Sequence, residues 1–239
     1  LNRLELFRLI QQLNSAQQES LGLAFLIYFI TNTMDYPTNF RERSALTLTR
    51  VEQNNHRQTM LNLVDREEHD FPIPGEYCPS DRDELSRMGN AIANNTHLKQ
   101  LFFDGRESNM RLTDAIVDNE TFFDGLRRNT SIKDIYLNDF DFSEGAGREI
   151  MNKYVTNNTN RSHFYAVDCN HSNDGAGVLE SALSTRPKEF IGLKRCNIDD
   201  DILNELVGLF TGMSQLTTLN LSHNNFGLSG CRTIATLLQ

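Results

Sequence analysis

The chain has 239 residues and a formal charge of −9, from 23 Lys and Arg against 32 Asp and Glu. That length can bury a sizeable core, as one domain or one domain with an appendage. The acidic balance and the lack of a basic block argue against nucleic acid as a partner, since neutralising phosphates takes clustered Lys and Arg, and a hydrophobic fraction of 38% is too high for a disordered chain and too low for a membrane bundle. The longest apolar stretch, Leu21 to Ile30, is roughly half of what a spanning helix needs, so no membrane is expected as a partner. Cys78, Cys169, Cys196 and Cys231 form no C-x-x-C pair. Reduced thiols fit this pattern, and with them a cytoplasmic or nuclear location. The chain opens on Leu1 and stops at Gln239 inside a predicted helix, which leads us to expect a fragment or trimmed domain.

In chain order, Leu1, Leu4, Phe7, Ile10 and Leu13 recur at three-residue spacing, and the apolar segment 21–30 follows. Two helices over 1–33, forming an N-terminal cap, are predicted; the alternative is that they pack against a preceding domain. Leu46, Leu48 and Val51, then Leu61 and Leu63, suggest two short strands around Asn54-Asn55, either a hairpin or a divergent first repeat. Residues 66–80 read as an acidic, proline-rich loop. Its carboxylates, with His69, have the chemistry of a divalent-metal site, but a solvated loop accounts for them better. Residues 81–93 read as a helix, with Leu85, Met88 and Ile92 at helical spacing.

From there the chain repeats. The last copy is Leu216-x-x-Leu219-x-Leu221-x-x-Asn224-x-Phe226. Lys188, Ile191, Leu193, Cys196 and Ile198 fill the same slots upstream. Before them come Ser162, Tyr165, Val167, Asn170 and Ser172, then Ile132, Ile135, Leu137, Phe140 and Phe142, then Leu98, Leu101, Phe103, Arg106 and Ser108. The second slot thus falls at 101, 135, 165, 191 and 219, at intervals of 34, 30, 26 and 28. Gly145-Ala146-Gly147 and Gly175-Ala176-Gly177 each follow an acid where a returning helix should start, and Asp199 to Asp201 stand there one repeat later. Asn94-Asn95-Thr96, Asn129-Thr130-Ser131 and Asn157-Asn158-Thr159 mark the helix-to-strand returns, where Asn tolerates a left-handed conformation. Phe140 and Arg106 depart from Asn or Cys at the turn slot, so looser or altered turns are expected there.

These slots match L-x-x-L-x-L-x-x-N/C-x-L, the leucine-rich repeat, and the repeat length resembles the ribonuclease-inhibitor-like subfamily over about residues 81–239. The resemblance implies an α/β solenoid, a partial horseshoe of about five repeats with a parallel concave sheet and convex helices, the N-terminal residues 1–80 forming a mostly helical cap and divergent leading segment. A single repeat cannot bury its apolar face, so neighbours must stack. It also implies protein recognition rather than catalysis. No cofactor is expected, and no nucleophile elbow, metalloprotease helix or P-loop lysine occurs. Alternatives are a GTPase-activating protein of the Ran type, or the recognition arm of a larger receptor or ubiquitin-ligase adaptor.

Alternation along each strand directs the third, fifth and seventh slots outward. This places Phe102, Tyr136, Phe164 and Phe190 on the concave face, with Asp104, Asp134, Asp168 and Lys194 beside them. Exposed aromatic rings typify interface anchors, so these eight residues are the expected contacts for a protein partner with basic and apolar features; drifted repeats, or rings covered by the N-terminal segment, are the alternative. His163, Cys169 and His171 lie close in sequence, but a zinc site needs about four converging ligands. Seven Asn-x-Ser/Thr sequons arise from the repeat's own turns, with Asn170 expected at a buried turn slot.

Overall fold

The computed structural model describes residues 40–63, 75–105, 118–155, 162–171, 175–184 and 188–237. The expected cap helices of 1–33, the acidic run 65–70, the return at 157–159 and the slots Arg106, Ser108 and Ser172 lie outside the described residues. Along the chain run α1 (Phe40–Glu52), β1 (Met60–Leu63), β2 (Glu76–Tyr77), α2 (Arg82–Asn94), β3 (Gln100–Asp104), α3 (Glu120–Arg128) and β4 (Asp134–Asn138). Then come α4 (Gly145–Ile150, continuing as a π-helical turn Met151–Val155), β5 (His163–Val167), α5 (Gly175–Ser184), β6 (Phe190–Lys194), α6 (Asp200–Gly212), β7 (Thr218–Asn220) and α7 (Leu228–Leu237). The strands form one sheet in the order β2-β1-β3-β4-β5-β6-β7, and every neighbouring pair is parallel.

From β3 onward each strand lies beside the next one in sequence, with a helix on the return leg, which is how parallel neighbours must be joined. Residues two apart enter the core: Leu101 and Phe103, Ile135 and Leu137, Phe164 and Ala166, Ile191 and Leu193 are all sealed. Against them pack Leu85, Met88 and Ile92 of α2, Phe122, Phe123 and Leu126 of α3, and Leu203, Leu206 and Phe210 of α6. Fully burying one such side chain is worth roughly 1.5–3 kcal/mol. Helices α2 and α3 approach closely because each carries a glycine at the crossing; a β-carbon on Gly125 would fall onto the Gly89 carbonyl.

Local signals set the helix ends. Asp81 caps α2 by accepting from Glu84 N at 2.8 Å, and Asn119 and Asp199 do the same for α3 and α6, each from the third residue on at 2.9 Å. The helix-to-strand returns do not use a left-handed Asn: Asn95 and Asn129 have φ of −79° and −70°. They act through their side chains. Asn129 donates from Nδ2 to the carbonyls of Ile92 and Asn95, both at 2.7 Å, and its Oδ1 accepts from Ser131 N and Ile132 N. Asn95 repeats the device one unit earlier, donating to the Val51 carbonyl and accepting from His97 N and Leu98 N.

The left-handed positions lie elsewhere, just past each strand: Asp139, Asp168, Arg195 and His223 have φ between 53° and 60°. At three of them the turn N–H continues the ladder, from Asp139 to the Val167 carbonyl, Asp168 to Lys194 and Arg195 to Ser222. In the last copy the turn slot is filled by Asn224. It donates to the carbonyls of Leu193 and Leu221 and accepts from the N–H groups of Cys196 and Ile198, bridging two units.

Two expectations are corrected here. Residues 46–51 form the end of helix α1, not a strand. The buried positions Ser44, Thr47, Leu48 and Val51 have helical spacing, but two are polar and hide the pattern; Ser44 repays its burial by bonding the Cys78 backbone in both directions at 3.1 Å. Residues 60–63 then pair in parallel with β3, not as a hairpin. The third repeat is also shifted by one. Phe164, not Tyr165, pairs with Ile135 and Ile191, so Cys169 takes the sealed turn slot and Asn170 is exposed.

Candidate functional site

The face of β3–β6 turned away from the helices carries the candidate site. Phe102, Tyr136 and Tyr165 occupy one register row on adjacent parallel strands, where strand spacing of roughly 4.8 Å brings like positions face to face. Phe102 and Tyr136 stack at 4.1 Å between centroids and Tyr136 and Tyr165 at 4.2 Å, their planes within 10° of parallel. The next residue in the row is Gly192. Its missing side chain lets Phe190, one pleat earlier on β6, lean across and stack on Tyr165 at 4.4 Å. A β-carbon on Gly192 would stand 3.0 Å from Phe190 and 3.2 Å from Tyr165. Four half-exposed rings thus form one continuous stack, each contact worth about 0.5–1.5 kcal/mol beyond its area.

Polar side chains flank the stack. At the strand starts, His163 Nδ1 lies 2.7 Å from Asp134 Oδ1, Gln100 donates to Asp134 Oδ2 at 3.2 Å, and His163 Nε2 stands 3.6 Å from Glu189. At the strand ends, Asn138 donates to Asp104 at 3.1 Å. Burial, then the neighbouring Tyr165 and Asp134, raises the Tyr136 phenol above its ordinary value, and burial also raises that of Tyr165. Both are therefore neutral donors at physiological pH. Tyr136 donates to the Tyr165 oxygen, so the arrangement can bury an apolar group against ring edges, donate a hydrogen bond from the Tyr165 phenol, and attract positive charge to Asp104, Asp134 and Glu189. Among the described residues no three His, Cys, Asp or Glu side chains converge as a metal site.

Six of the eight expected contacts lie on this face: Phe102, Asp104, Asp134, Tyr136, Phe190 and Lys194. Phe164 does not. It is 1% exposed in the core, because the one-residue shift of β5 turns it inward and Tyr165 outward. Asp168 does not either; it sits in the left-handed turn and holds Arg195 through paired contacts of 2.5 and 2.7 Å. The outward residues missed by the sequence reading are Tyr165, His163 and Glu189. The signal that could have found them is Cys169, which stands five residues after Phe164 as Cys196 does after Ile191.

No helix among the described residues is long and apolar enough to cross a membrane. No family model matches this sequence, nor does any curated protein. Among solved structures, the chain is similar to leiomodin-1 actin-binding site 2 (ABS2), with 15% identity, coverage of 81% of this chain and 86% of that one, and a TM-score of 0.34. At that score the likeness carries neither a fold nor a function over to this chain.

Proposed function

We propose that the chain is a leucine-rich-repeat module of the ribonuclease-inhibitor-like type, and that it works without catalysis by binding a protein partner along the concave face of β3–β6. The observation that carries this reading is the four-ring stack of Phe102, Tyr136, Tyr165 and Phe190, held half-exposed on a rigid sheet. Rings stacked in this way lose little freedom when covered, so an incoming apolar side chain gains buried area at low entropic cost. Asp104, Asp134 and Glu189 add a preference for a segment with Lys or Arg beside its apolar anchor. Reduced buried cysteines support a cytoplasmic or nuclear setting for this role.

The test is selection of binders from a displayed library of random dodecapeptides. The selected peptides should pair an apolar anchor with basic residues. A Tyr136→Ser/Tyr165→Ser chain with unchanged circular dichroism should bind them at least about tenfold more weakly, as expected when central aromatic anchors are lost. Equal binding by that variant would overturn the assignment of the face.

A further inference from the structure

At the strand-start edge of the ring stack one histidine stands between two carboxylates. His163 opens β5, and its register partners are Asp134 on β4 and Phe190 on β6. Asp134 Oδ1 lies 2.7 Å from His163 Nδ1, and the other oxygen of Asp134 accepts from Gln100 at 3.2 Å. A carboxylate only accepts, so Nδ1 carries the proton of the neutral ring and Nε2 is left as a bare acceptor. Nε2 faces Glu189, whose Oε2 is 3.6 Å away, beyond hydrogen-bond reach.

The neutral ring thus sets two acceptors side by side, Nε2 and Glu189 Oε2, and both side chains are open to water, at 34% and 57% exposed. Phe190 stands edge-on to His163 at 6.2 Å, so this pair is continuous with the apolar surface of the stack. An ammonium or guanidinium group can donate to both acceptors at once. Protonating Nε2 reverses the arrangement, because the ring then brings its own donor to Glu189 and cancels one negative charge. The carboxylates facing the ring come from β4 (Asp134) and from the residue before β6 (Glu189), while the Tyr165 phenol, two residues on along β5, stays neutral. Lys133 and Lys99, one residue before Asp134 and Gln100, form no ion pair with either carboxylate among the described residues.

We propose that His163 makes capture on this face pH-dependent: a proton on its Nε2 and a Lys or Arg side chain of the partner compete for Glu189. The inference rests on the reading of this face as a protein-binding surface, and adds where the partner's positive charge sits and what displaces it. Histidine is the side chain whose ordinary titration falls between about pH 5 and 8. At the alkaline end of that range the ring is neutral and the acceptor pair is open, so affinity for a basic segment is full there and falls as the pH drops. Where one proton must leave before the partner can bind, the loss approaches about tenfold per pH unit on the acid side.

Peptides from the library selection test this on the whole chain, made with blocked termini and chosen to hold Lys or Arg but no Asp, Glu or His, so that only the protein titrates. Fluorescence anisotropy should show them bound about tenfold more weakly at about pH 5.5 than at about pH 8, with unchanged circular dichroism. His163→Gln should remove most of that dependence, and Glu189→Gln should bind more weakly at the alkaline end with a shallower profile. A purely structural role for either residue would move the affinity without moving its pH profile. In nitrogen-15 NMR spectra of the free chain at the alkaline end, the His163 ring should be protonated on Nδ1, and saturating peptide should shift its titration to lower pH. A flat profile in the original chain, the same profile in His163→Gln, or a proton on Nε2 at the alkaline end would overturn the proposal, and the aromatic face would still stand if Tyr136→Ser/Tyr165→Ser loses the peptides. Equal binding by that tyrosine variant, or a library that yields no binder, would overturn both.

Discussion

The interior units and the last one are built on the same slots, yet they are buried very differently. Ile191 and Leu219 are register partners on adjacent strands. Ile191 is fully sealed, whereas Leu219 is half-exposed, as are Leu216, Phe226, Ile234 and Leu237 around it. The last copy is nonetheless the cleanest match to the repeat. A slot is buried by the neighbour that stacks on it, so the quality of the pattern and the depth of burial are separate properties. The opposite end of the sheet makes the same point without any pattern. There β2 is finished by α1, whose Arg43 is buried against Glu76 and whose Ser44 bonds Cys78, while Tyr77 is fully covered and donates its hydroxyl to the Glu84 carbonyl.

The sharpest way to break this comparison is to truncate the two register partners. Ile191→Ala empties a sealed site and should cost about 2–5 kcal/mol. Leu219→Ala removes a side chain that water already reaches and should cost under about half as much. Chemical denaturation of both variants checks this, and equal losses would mean that the last unit is as well supported as the inner ones.

A smaller difference is expected at the two asparagines that bracket neighbouring backbones. Asn129 is 1% exposed, so Asn129→Ala strands buried carbonyls and N–H groups and should cost about 1–3 kcal/mol. Asn224 makes as many bonds to backbone groups, but it is half-buried on the last unit. Water can replace part of what Asn224→Ala removes, so its loss should stay near about 1 kcal/mol. Hydrogen exchange of the Ile132 and Ile198 amides would report each bracket directly.

These contrasts also show what could be read in the sequence. The strands at 101, 135, 191 and 219, and the helices starting at 82 and 200, are legible because aliphatic slots and helix caps state them twice over. The third unit was misread because His163-Phe164-Tyr165-Ala166-Val167 is apolar in both registers; the shift to Phe164 is decided by which residue fills the small turn slot, and Cys169 does so. Helix α1 was hidden because its buried stripe runs through Ser44 and Thr47. The bonds that make Ser44 tolerable come from the Cys78 backbone far along the chain, which no local pattern reveals, while the buried Thr47 hydroxyl has no hydrogen-bond partner among the described residues. On the candidate face the outward rows follow directly from the strands, so Phe102, Tyr136 and Phe190 were placed correctly and Phe164 failed together with its strand. The left-handed turn that removes Asp168 from the face had no signal in its residue types, since Asp, Asp, Arg and His occupy it in turn.

The smallest effect on stability should come where the stack depends on something missing. Gly192 is the position without a side chain in the outward row of Phe102, Tyr136 and Tyr165, and Asn220 follows it on the last strand. Phe190 reaches Tyr165 only across that gap. Gly192→Ala fits the extended backbone of β6, so the strand itself should gain slightly from reduced chain entropy. The new methyl must push back Phe190 or Tyr165, and the two effects should leave the unfolding free energy within about 1 kcal/mol of the original. The near-ultraviolet circular dichroism of the stacked tyrosines should change nonetheless, and binding of peptides selected on the face should weaken. A variant with the same spectrum and the same affinity would mean that the fourth ring joins the stack without needing the space at Gly192, and the face would then be an assembly of three rings rather than four.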